Sequence, residues 1–152
     1  MNSLSPQLRP ASPADVPAIT AIAARAYQPY VARIGRKPAQ MVADFAHYVA
    51  AGEVTVATIG DAVVGYLVGY GIVDAYFIEN VAVHPGHHGQ GIGGHLISAA
   101  EKAARTAGHR RMQLYTNEKM TEMLSYYPAR GYRETERRRE DGFNRVYFEK
   151  RL

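Results

Sequence analysis

The sequence predicts an α/β (α+β) fold in which helices flank a mixed sheet, and two features of its patterning support this. Apolar residues recur at helical spacing up to about residue 51, whereas strand-like alternation follows from residue 54. The strand patterns first form a meander and later alternate with helices, an order typical of a mixed sheet. The chain has 152 residues, within the ~100–200 residues usual for one domain, so we predict a single domain over residues 1–152.

The first third of the chain predicts one short strand and two helices. After an extended piece around Leu8, Ser12 is a suitable N-cap and Pro13 a suitable first helical residue. The apolar residues that follow at helical spacing are Ala18, Ile19, Ile22, Ala23 and Ala26. Gly35 and Pro38 interrupt this pattern, and a second helix is predicted over residues 39–51.

The remaining elements are predicted from alternation and from turn residues. Residues 54–58 alternate, and Gly60 and Asp61 form a turn into the apolar run 62–73, which together predict a hairpin. A strand over 76–83 leads into a glycine-rich loop over 86–91 and a helix over 92–106. Then come a strand at 112–115, a helix at 120–130, and strands at 132–138 and 144–150 around a turn at 140–142.

Composition excludes several classes of protein. The chain has no cysteine, which excludes disulfides, thiolate zinc sites and cysteine nucleophiles. The first ten residues lack the pattern of a signal peptide, and the longest apolar run, 62–73, contains three glycines. That run is shorter than the ~20 residues of a membrane helix. We therefore expect a cytoplasmic protein with no membrane partner. Basic and acidic residues are mixed over 130–151, which argues against a nucleic-acid partner.

The strand, glycine-rich loop and helix around residues 76–106 form the pattern of a phosphate site, because loop amides and the helix start attract anions. Gly86 and Gly91 match G-x-x-x-x-G, but Ile92 and Gly93 replace the Lys and Ser/Thr of nucleotide triphosphatases. Glycines at 89, 91 and 94 match the dinucleotide fingerprint G-x-G-x-x-G. An NAD-binding module therefore stays open, although the next strand does not end in an acid.

A third interpretation rests on the segments VAVHP (81–85) and HGQGIG (88–93). They resemble the pyrophosphate signature Gln/Arg-x-x-Gly-x-Gly/Ala of the GNAT superfamily of acyl-CoA-dependent N-acetyltransferases, which follows a hydrophobic strand. The chain has His88 where the family usually has Gln or Arg. The segment YPARGY (127–132) resembles the family's Tyr-x-x-x-Gly-Phe/Tyr, so the resemblance extends over nearly the whole chain.

The resemblance implies a twisted, mostly antiparallel mixed sheet of about seven strands, with acetyl-CoA as cosubstrate. It also implies a primary-amine acceptor, not identified by the sequence, that attacks the thioester directly in a ternary complex. The residues implied in cofactor binding are Val81, Ala82, Val83, His88, Gly89, Gln90, Gly91, Ile92, Gly93, Gly94 and Asn117. The Val81 N–H would polarise the thioester carbonyl. Asn117 would contact the cofactor arm or cap the last helix.

The resemblance assigns general acid catalysis to Tyr127, whose phenol, with an ordinary pKa of ~10, would protonate the leaving thiolate. The adjacent Tyr126 is interpreted as packing. Glu79 lies two residues before Val81 and so on the same face of its strand. It is a candidate base, directly or through water, or else a carboxylate bound by a neighbouring Arg or Tyr. Asn80 points to the opposite face and is expected to be structural.

Histidines 84, 87, 88 and 95 lie on the loop and its helix without accompanying Asp or Cys. Tetrahedral zinc usually has four ligands and would occupy the place of the phosphates, so no metal is expected. The predicted partners are acetyl-CoA and the amine acceptor, and a homodimer is compatible with the sequence. A non-catalytic acyl-CoA-binding regulator is the alternative function, because it would keep the loop without needing Glu79 or Tyr127.

Overall fold

A computed structural model of the protein describes residues 5–152. Residues 1–4, part of the N-terminal stretch in which no signal peptide is predicted, lie outside the described residues. The described residues form seven strands: β1 Gln7–Pro10, β2 Val54–Ile59, β3 Ala62–Ile72, β4 Ala75–Val83, β5 Arg111–Asn117, β6 Arg133–Glu140 and β7 Phe143–Arg151. They also form four α-helices: α1 Val16–Ile34, α2 Phe45–Ala50, α3 Ile92–Thr106 and α4 Thr121–Ala129.

The strands form one mixed sheet in the order β1-β2-β3-β4-β5-β7-β6. The β1–β2, β2–β3, β5–β7 and β6–β7 pairs are antiparallel, and β4 pairs with β5 in parallel. The predicted fold class and the predicted number of strands are therefore confirmed. No helix within residues 5–152 is both long and apolar enough to cross a membrane.

The described residues divide into two compact units, and β3, β4 and α3 each contribute residues to both. The first unit consists of the chain up to Gly69 together with Asn80–Ala100. Its core contains residues from α1, α2, β2 and β3, among them Ile19, Phe45 and Tyr66. The Phe45 and Tyr66 rings pack edge to face, with their centroids 5.2 Å apart.

The start of α1 is preceded by a 3-10 turn, Pro13–Asp15, for which Ser12 is the N-cap residue. The Asp15 carboxylate accepts a hydrogen bond from the Ser12 N–H at 2.7 Å and pairs with Arg9. The hydrogen bond from Arg9 holds the pKa of Asp15 well below its usual range. The predicted start at Ser12 and Pro13 is correct, although the α-helix proper begins three residues later.

The prediction of one helix over residues 39–51 is wrong in one respect. The chain forms a 3-10 turn at Ala39–Val42, and α2 begins only at Phe45. The break arises because Ala43 is extended, with φ −65° and ψ +153°, and Asp44 is the N-cap of α2. The Asp44 side chain accepts the His47 N–H at 3.2 Å, a contact that makes Asp a favourable N-cap.

Gly65 on β3 provides the space in which α3 begins. A Cβ on this glycine would lie 3.2 Å from both the Ala82 carbonyl oxygen and Ile92 Cγ2, and 3.4 Å from Leu96. Such distances are tight for carbon in a packed interior. A residue without a side chain therefore allows the first turn of α3 to pack closely against β3 and the end of β4.

The second unit consists of Tyr70–Glu79 and Glu101–Leu152. It contains the parallel β4–β5 pairing, the β6–β7 hairpin and α4, with a core that includes Met112, Leu114 and Phe148. Asp141 and Gly142, both with positive φ, form the turn predicted between the last two strands. β7 extends one residue further than predicted at each end, whereas β6 begins one residue later and ends two residues later than predicted. Helix α4 spans Thr121–Ala129, one residue shorter at each end than predicted.

Candidate active site

The loop between β4 and α3 contains two glycines in the left-handed region. Gly89 and Gly91 have φ values of +79° and +76°, a conformation that strains residues with a side chain. A Cβ at either position would meet no atom within 4 Å. Both glycines therefore border open space, which gives a ligand close access to the loop backbone.

Helix α3 begins directly after these glycines. The first N–H groups of an α-helix have no acceptor within the helix and carry partial positive charge. Ile92, the first residue of α3, is buried, whereas Gly89, Gln90 and Gly91 are exposed. The buried Ile92 side chain holds the helix start in place beside an accessible loop, an arrangement suited to binding a phosphate group.

His84, the last residue before the loop turn, has contacts at both ring nitrogens. The Gly86 N–H donates to Nδ1 at 2.9 Å, and a guanidinium nitrogen of Arg25 lies 2.9 Å from Nε2. A neutral imidazole accepts at only one nitrogen, and a protonated ring accepts at neither. Burial and the charge of Arg25 lower the pKa of His84, so the ring is neutral near neutral pH. The neutral ring can accept a hydrogen bond from only one of these two donors at a time.

Arg25 is a charged residue at this site that the sequence analysis did not identify. It lies on α1, 59 residues before His84, and its own helix contains no glycine motif or signature that would single it out. Its exposed guanidinium adds positive charge beside the loop. A contact over this separation follows from the packing of α1 and not from any local pattern.

Other side chains of the loop fold back onto the loop itself. The His88 Nε2 atom lies 3.2 Å from the Val83 carbonyl oxygen, and His87 Nδ1 lies 3.3 Å from Gln90 Oε1. His88 is thus positioned to donate to the end of β4. Among the described residues, no group of three or more His, Asp or Glu side chains is arranged to hold a metal ion.

The second half of β4 obtains hydrogen-bond partners from side chains. The described register with β5 ends at the Ile78–Leu114 pair, although β4 continues to Val83. The Val81 carbonyl accepts a hydrogen bond from the Tyr27 hydroxyl at 3.0 Å. Val81 and Val83 are half-buried, whereas Ala82 between them is buried.

Glu79 is held by two tyrosines. The Tyr70 hydroxyl donates to Oε1 at 2.6 Å, and the Tyr115 hydroxyl donates to Oε2 at 3.4 Å. The alternative prediction, that a neighbouring Tyr binds the Glu79 carboxylate, is therefore correct for its contacts. These contacts use one lone pair on each oxygen, so the half-buried carboxylate retains acceptor capacity, and its role as a base stays a prediction.

The two tyrosines that bind Glu79 both contact Phe77. The Phe77 ring centroid lies 5.9 Å from those of both Tyr70 and Tyr115. The Arg145 guanidinium carbon lies 4.3 Å from the centroid of the Tyr115 ring. Burial, together with the charge of Glu79, raises the pKa of Tyr115. Tyr115 therefore stays protonated at neutral pH and can donate to Glu79.

Tyr127 is buried in a cluster of aromatic rings. Its exposed fraction is 5%, and its ring centroid lies 5.3 Å from Tyr126, 5.7 Å from Tyr132 and 5.9 Å from Phe148. Burial raises the pKa of Tyr127 well above its ordinary value of 10.0. The phenol thus keeps its proton at neutral pH, but it is a weaker acid than the sequence analysis assumed.

The YPARGY segment forms the C-terminus of α4. The Tyr127 carbonyl accepts the N–H groups of Arg130 at 2.9 Å and Tyr132 at 3.1 Å. Gly131 between them has φ +92°, which makes glycine the favoured residue after the helix. The spacing between Tyr127 and Gly131 is therefore the spacing of a helix C-cap.

Asn117 forms a turn instead of capping the last helix. Its side-chain oxygen accepts the Lys119 N–H at 2.9 Å, whereas the N-cap of α4 is Met120. The prediction that Asn117 caps the last helix is thus wrong, because its side-chain oxygen stabilises the turn that precedes α4. A contact with the cofactor stays a prediction.

Comparison with known proteins identifies the family. Residues 17–132 match the acetyltransferase (GNAT) family. This match includes the loop, Glu79 and Tyr127, and it covers more than half of the chain. The chain belongs to the GNAT acetyltransferase family and is an acyltransferase of the N-acetyltransferase type. Family membership favours an enzyme over a non-catalytic regulator or an NAD-binding module.

Solved structures share the fold. The PaiA N-acetyltransferase from Thermoplasma acidophilum, in complex with coenzyme A, is 16% identical with a TM-score of 0.82, covering 97% of this chain and 99% of its own. A GCN5-related N-acetyltransferase from Rhodopseudomonas palustris is 24% identical with a TM-score of 0.79, covering 97% and 96%. No curated protein sequence matches this chain.

A third structure is larger than this chain. The N-acetylglutamate synthase from Neisseria gonorrhoeae, complexed with coenzyme A and N-acetyl-glutamate, is 16% identical with a TM-score of 0.73. The match covers 97% of this chain and 35% of the synthase. The same fold therefore also occurs within a larger protein.

We predict that Gly91→Ala weakens coenzyme A binding at least roughly tenfold, which corresponds to about 1.4 kcal/mol. The new Cβ would enter the open space above the loop, and the left-handed backbone would be strained. Isothermal titration calorimetry measures the change. Gly108→Ala is the matched control, because Gly108 has φ +89° and equally open surroundings but lies beyond the other end of α3.

Both substitutions should cost a similar roughly 1–2 kcal/mol of stability through the left-handed conformation. Only Gly91→Ala should affect affinity. Equal affinities for coenzyme A in two folded variants would contradict a binding role for Gly91.

We predict that Arg25→Gln raises the pKa of His84 toward the ordinary histidine value. The substitution removes a positive charge that lowers this pKa and leaves the burial of the ring unchanged. Titration of the imidazole C–H resonances by NMR measures the shift. Arg33→Gln, on the same helix but over the Tyr30 ring, should leave the pKa of His84 unchanged. An unchanged His84 pKa in Arg25→Gln would contradict the described contact.

Proposed function

We propose that this protein transfers the acetyl group of acetyl-CoA to a primary amine by direct attack in a ternary complex. The observation that carries the proposal is the loop with Gly89 and Gly91, which joins an accessible backbone to the start of α3 within a chain of the GNAT family. No cysteine is present for a covalent acyl-enzyme. A single transfer step therefore suits the available side chains.

We propose that the pyrophosphate of acetyl-CoA binds to backbone amides of the loop and the first turn of α3. Open space above Gly89 and Gly91 supports this role. The amides belong to Gly89, Gln90, Gly91, Ile92, Gly93 and Gly94. His88 takes the place of the family's usual Gln or Arg, and Arg25 adds positive charge nearby through its contact with His84.

The pantetheine arm would pair with β4 like an added strand. Support comes from the register of β4, whose pairing with β5 ends at Ile78 while the strand continues to Val83. Backbone groups of Val81, Ala82 and Val83 would bind the arm, and the Val81 N–H would donate to the thioester oxygen as negative charge develops there. Asn117 would contact the same arm.

Proton transfer would use two side chains. Glu79 would accept a proton from the acceptor's ammonium, directly or through water, so that the neutral nitrogen attacks the thioester carbon. As the carbon–sulfur bond breaks, the sulfur would take the proton of the Tyr127 hydroxyl. The attacking nitrogen would lose its second proton to solvent, and a proton from solvent would restore the Tyr127 hydroxyl. The raised pKa of Tyr127 keeps the hydroxyl proton in place at neutral pH and makes its transfer to the sulfur less favourable than transfer from an ordinary phenol.

The acceptor is sought by incubating the protein with acetyl-CoA and a panel of amines. The panel contains small amines, amino-acid derivatives, aminoglycosides and peptides with free amines. Release of the coenzyme A thiol is the readout. Acetyl-CoA binding without transfer to any of these amines would count against the proposal and would favour a regulatory role.

We predict that Tyr127→Phe lowers kcat by roughly 10²–10⁴-fold, the usual contribution of general acid catalysis. The fold and the affinity for acetyl-CoA should change little, because only one hydroxyl is removed. Tyr126→Phe is the matched control and should have nearly normal turnover. Normal turnover of Tyr127→Phe on a confirmed acceptor would show that another group or water protonates the sulfur.

We predict that Glu79→Gln lowers turnover near pH 7 and that alkaline pH partly restores it. A primary amine with a pKa of ~10.4 is about 100 times more deprotonated at pH 9 than at pH 7, so the variant's rate should rise more steeply than the wild type's. Tyr70→Phe is the control, because it removes the 2.6 Å hydrogen bond to Glu79 but keeps the carboxylate. A pH profile of Glu79→Gln parallel to the wild type would exclude Glu79 as the base.

A further inference from the structure

We propose that Tyr27 is a positioning residue that fixes the orientation of the Val81 N–H. This inference rests on the proposed function, in which that N–H polarises the thioester. Tyr27 lies on α1 and is 9% exposed. Its hydroxyl contacts two consecutive residues of β4, at 3.0 Å from the Asn80 side-chain oxygen and 3.0 Å from the Val81 carbonyl oxygen.

These two contacts lie on either side of one peptide group. The amide that contains the Val81 N–H joins the α-carbons of Asn80 and Val81. Holding the Asn80 side chain on one side and the Val81 carbonyl on the other restricts the rotations that turn this amide. A hydroxyl that contacts both groups therefore fixes the direction of the N–H without touching a ligand.

The Tyr27 hydroxyl lies within hydrogen-bond distance of two acceptors. A hydroxyl has one proton, and two acceptors compete for it. The buried Tyr66 hydroxyl already donates to the same Asn80 oxygen at 2.8 Å. The Tyr27 proton is shared between the Asn80 oxygen and the Val81 carbonyl oxygen, which each lie 3.0 Å from the hydroxyl.

The Asn80 side chain is itself held in a fixed position. It is 3% exposed, and its NH₂ group donates to the Gln40 carbonyl at 2.9 Å. These three contacts, two to its oxygen and one from its NH₂ group, restrict the Asn80 carboxamide to one orientation. Asn80, predicted as structural, thus serves as the fixed point from which Tyr27 acts on Val81.

The test compares Tyr27→Phe with Tyr66→Phe. Each removes one buried hydroxyl from the same amide oxygen, but only Tyr27 also contacts Val81. The readout is the infrared carbonyl stretch of [1-¹³C]acetyl-CoA bound to the protein, which falls as hydrogen bonding to the thioester oxygen strengthens. It requires no acceptor, and a purely structural tyrosine would not change it.

The wild type and Tyr66→Phe should show the lowered frequency on binding. Tyr27→Phe should lose roughly half of that shift or more, because the donor is misdirected, and its dissociation constant for acetyl-CoA should stay within about twofold of the wild type. Thermal unfolding checks that both variants fold. Tyr27→Met, also without a donor and able to fill irregular space, replaces Tyr27→Phe if that variant does not fold.

Equal shifts in the wild type and in a folded, acetyl-CoA-binding Tyr27 variant would overturn this inference alone. An equal loss in Tyr66→Phe would also overturn it, because the effect would then come from the amide network in general. Failure of the wild type to bind acetyl-CoA would instead contradict the proposed function, and the inference with it.

Discussion

The side chain of Asn80 connects β4 to three other segments of its unit. Its oxygen accepts from Tyr27 of α1 and Tyr66 of β3, and its NH₂ group donates to the carbonyl of Gln40. A buried amide without partners would destabilise the fold by several kcal/mol in an apolar setting, roughly 2–7 by transfer data. These partners are therefore what permits a polar residue there. The strand that they hold leads directly into the glycine loop.

A second polar cluster stabilises the end of α4. The buried Glu101 carboxylate accepts hydrogen bonds from the Tyr132 hydroxyl at 2.8 Å and from Lys150 at 3.2 Å. These partners offset the cost of removing a carboxylate from water. Lys150 also lies 3.3 Å from where a Cβ of Gly131 would be, so it packs against the C-cap of α4.

Locally encoded elements were predicted well, and contacts between distant segments were not. The bounds of α3 follow from the glycine-rich loop before it, from the helical composition of 92–106 and from Gly108 after it. The break before α2 depends on one extended residue, Ala43, in a segment without a strong breaker. Arg25 and Tyr27 contact residues 59 and 53–54 positions away, so only tertiary packing brings them to the site.

The two outer strands of the sheet are both poor templates for pairing with another chain. β1 has four residues and ends at Pro10, which lacks an amide proton. β6 is almost entirely exposed and consists of Arg and Glu apart from Thr135, at which its register with β7 shifts. Short length, proline, dense charge and a bulge each discourage edge-to-edge aggregation. A crowded solution of this protein should consequently resist growth of intermolecular sheet from either of these edges.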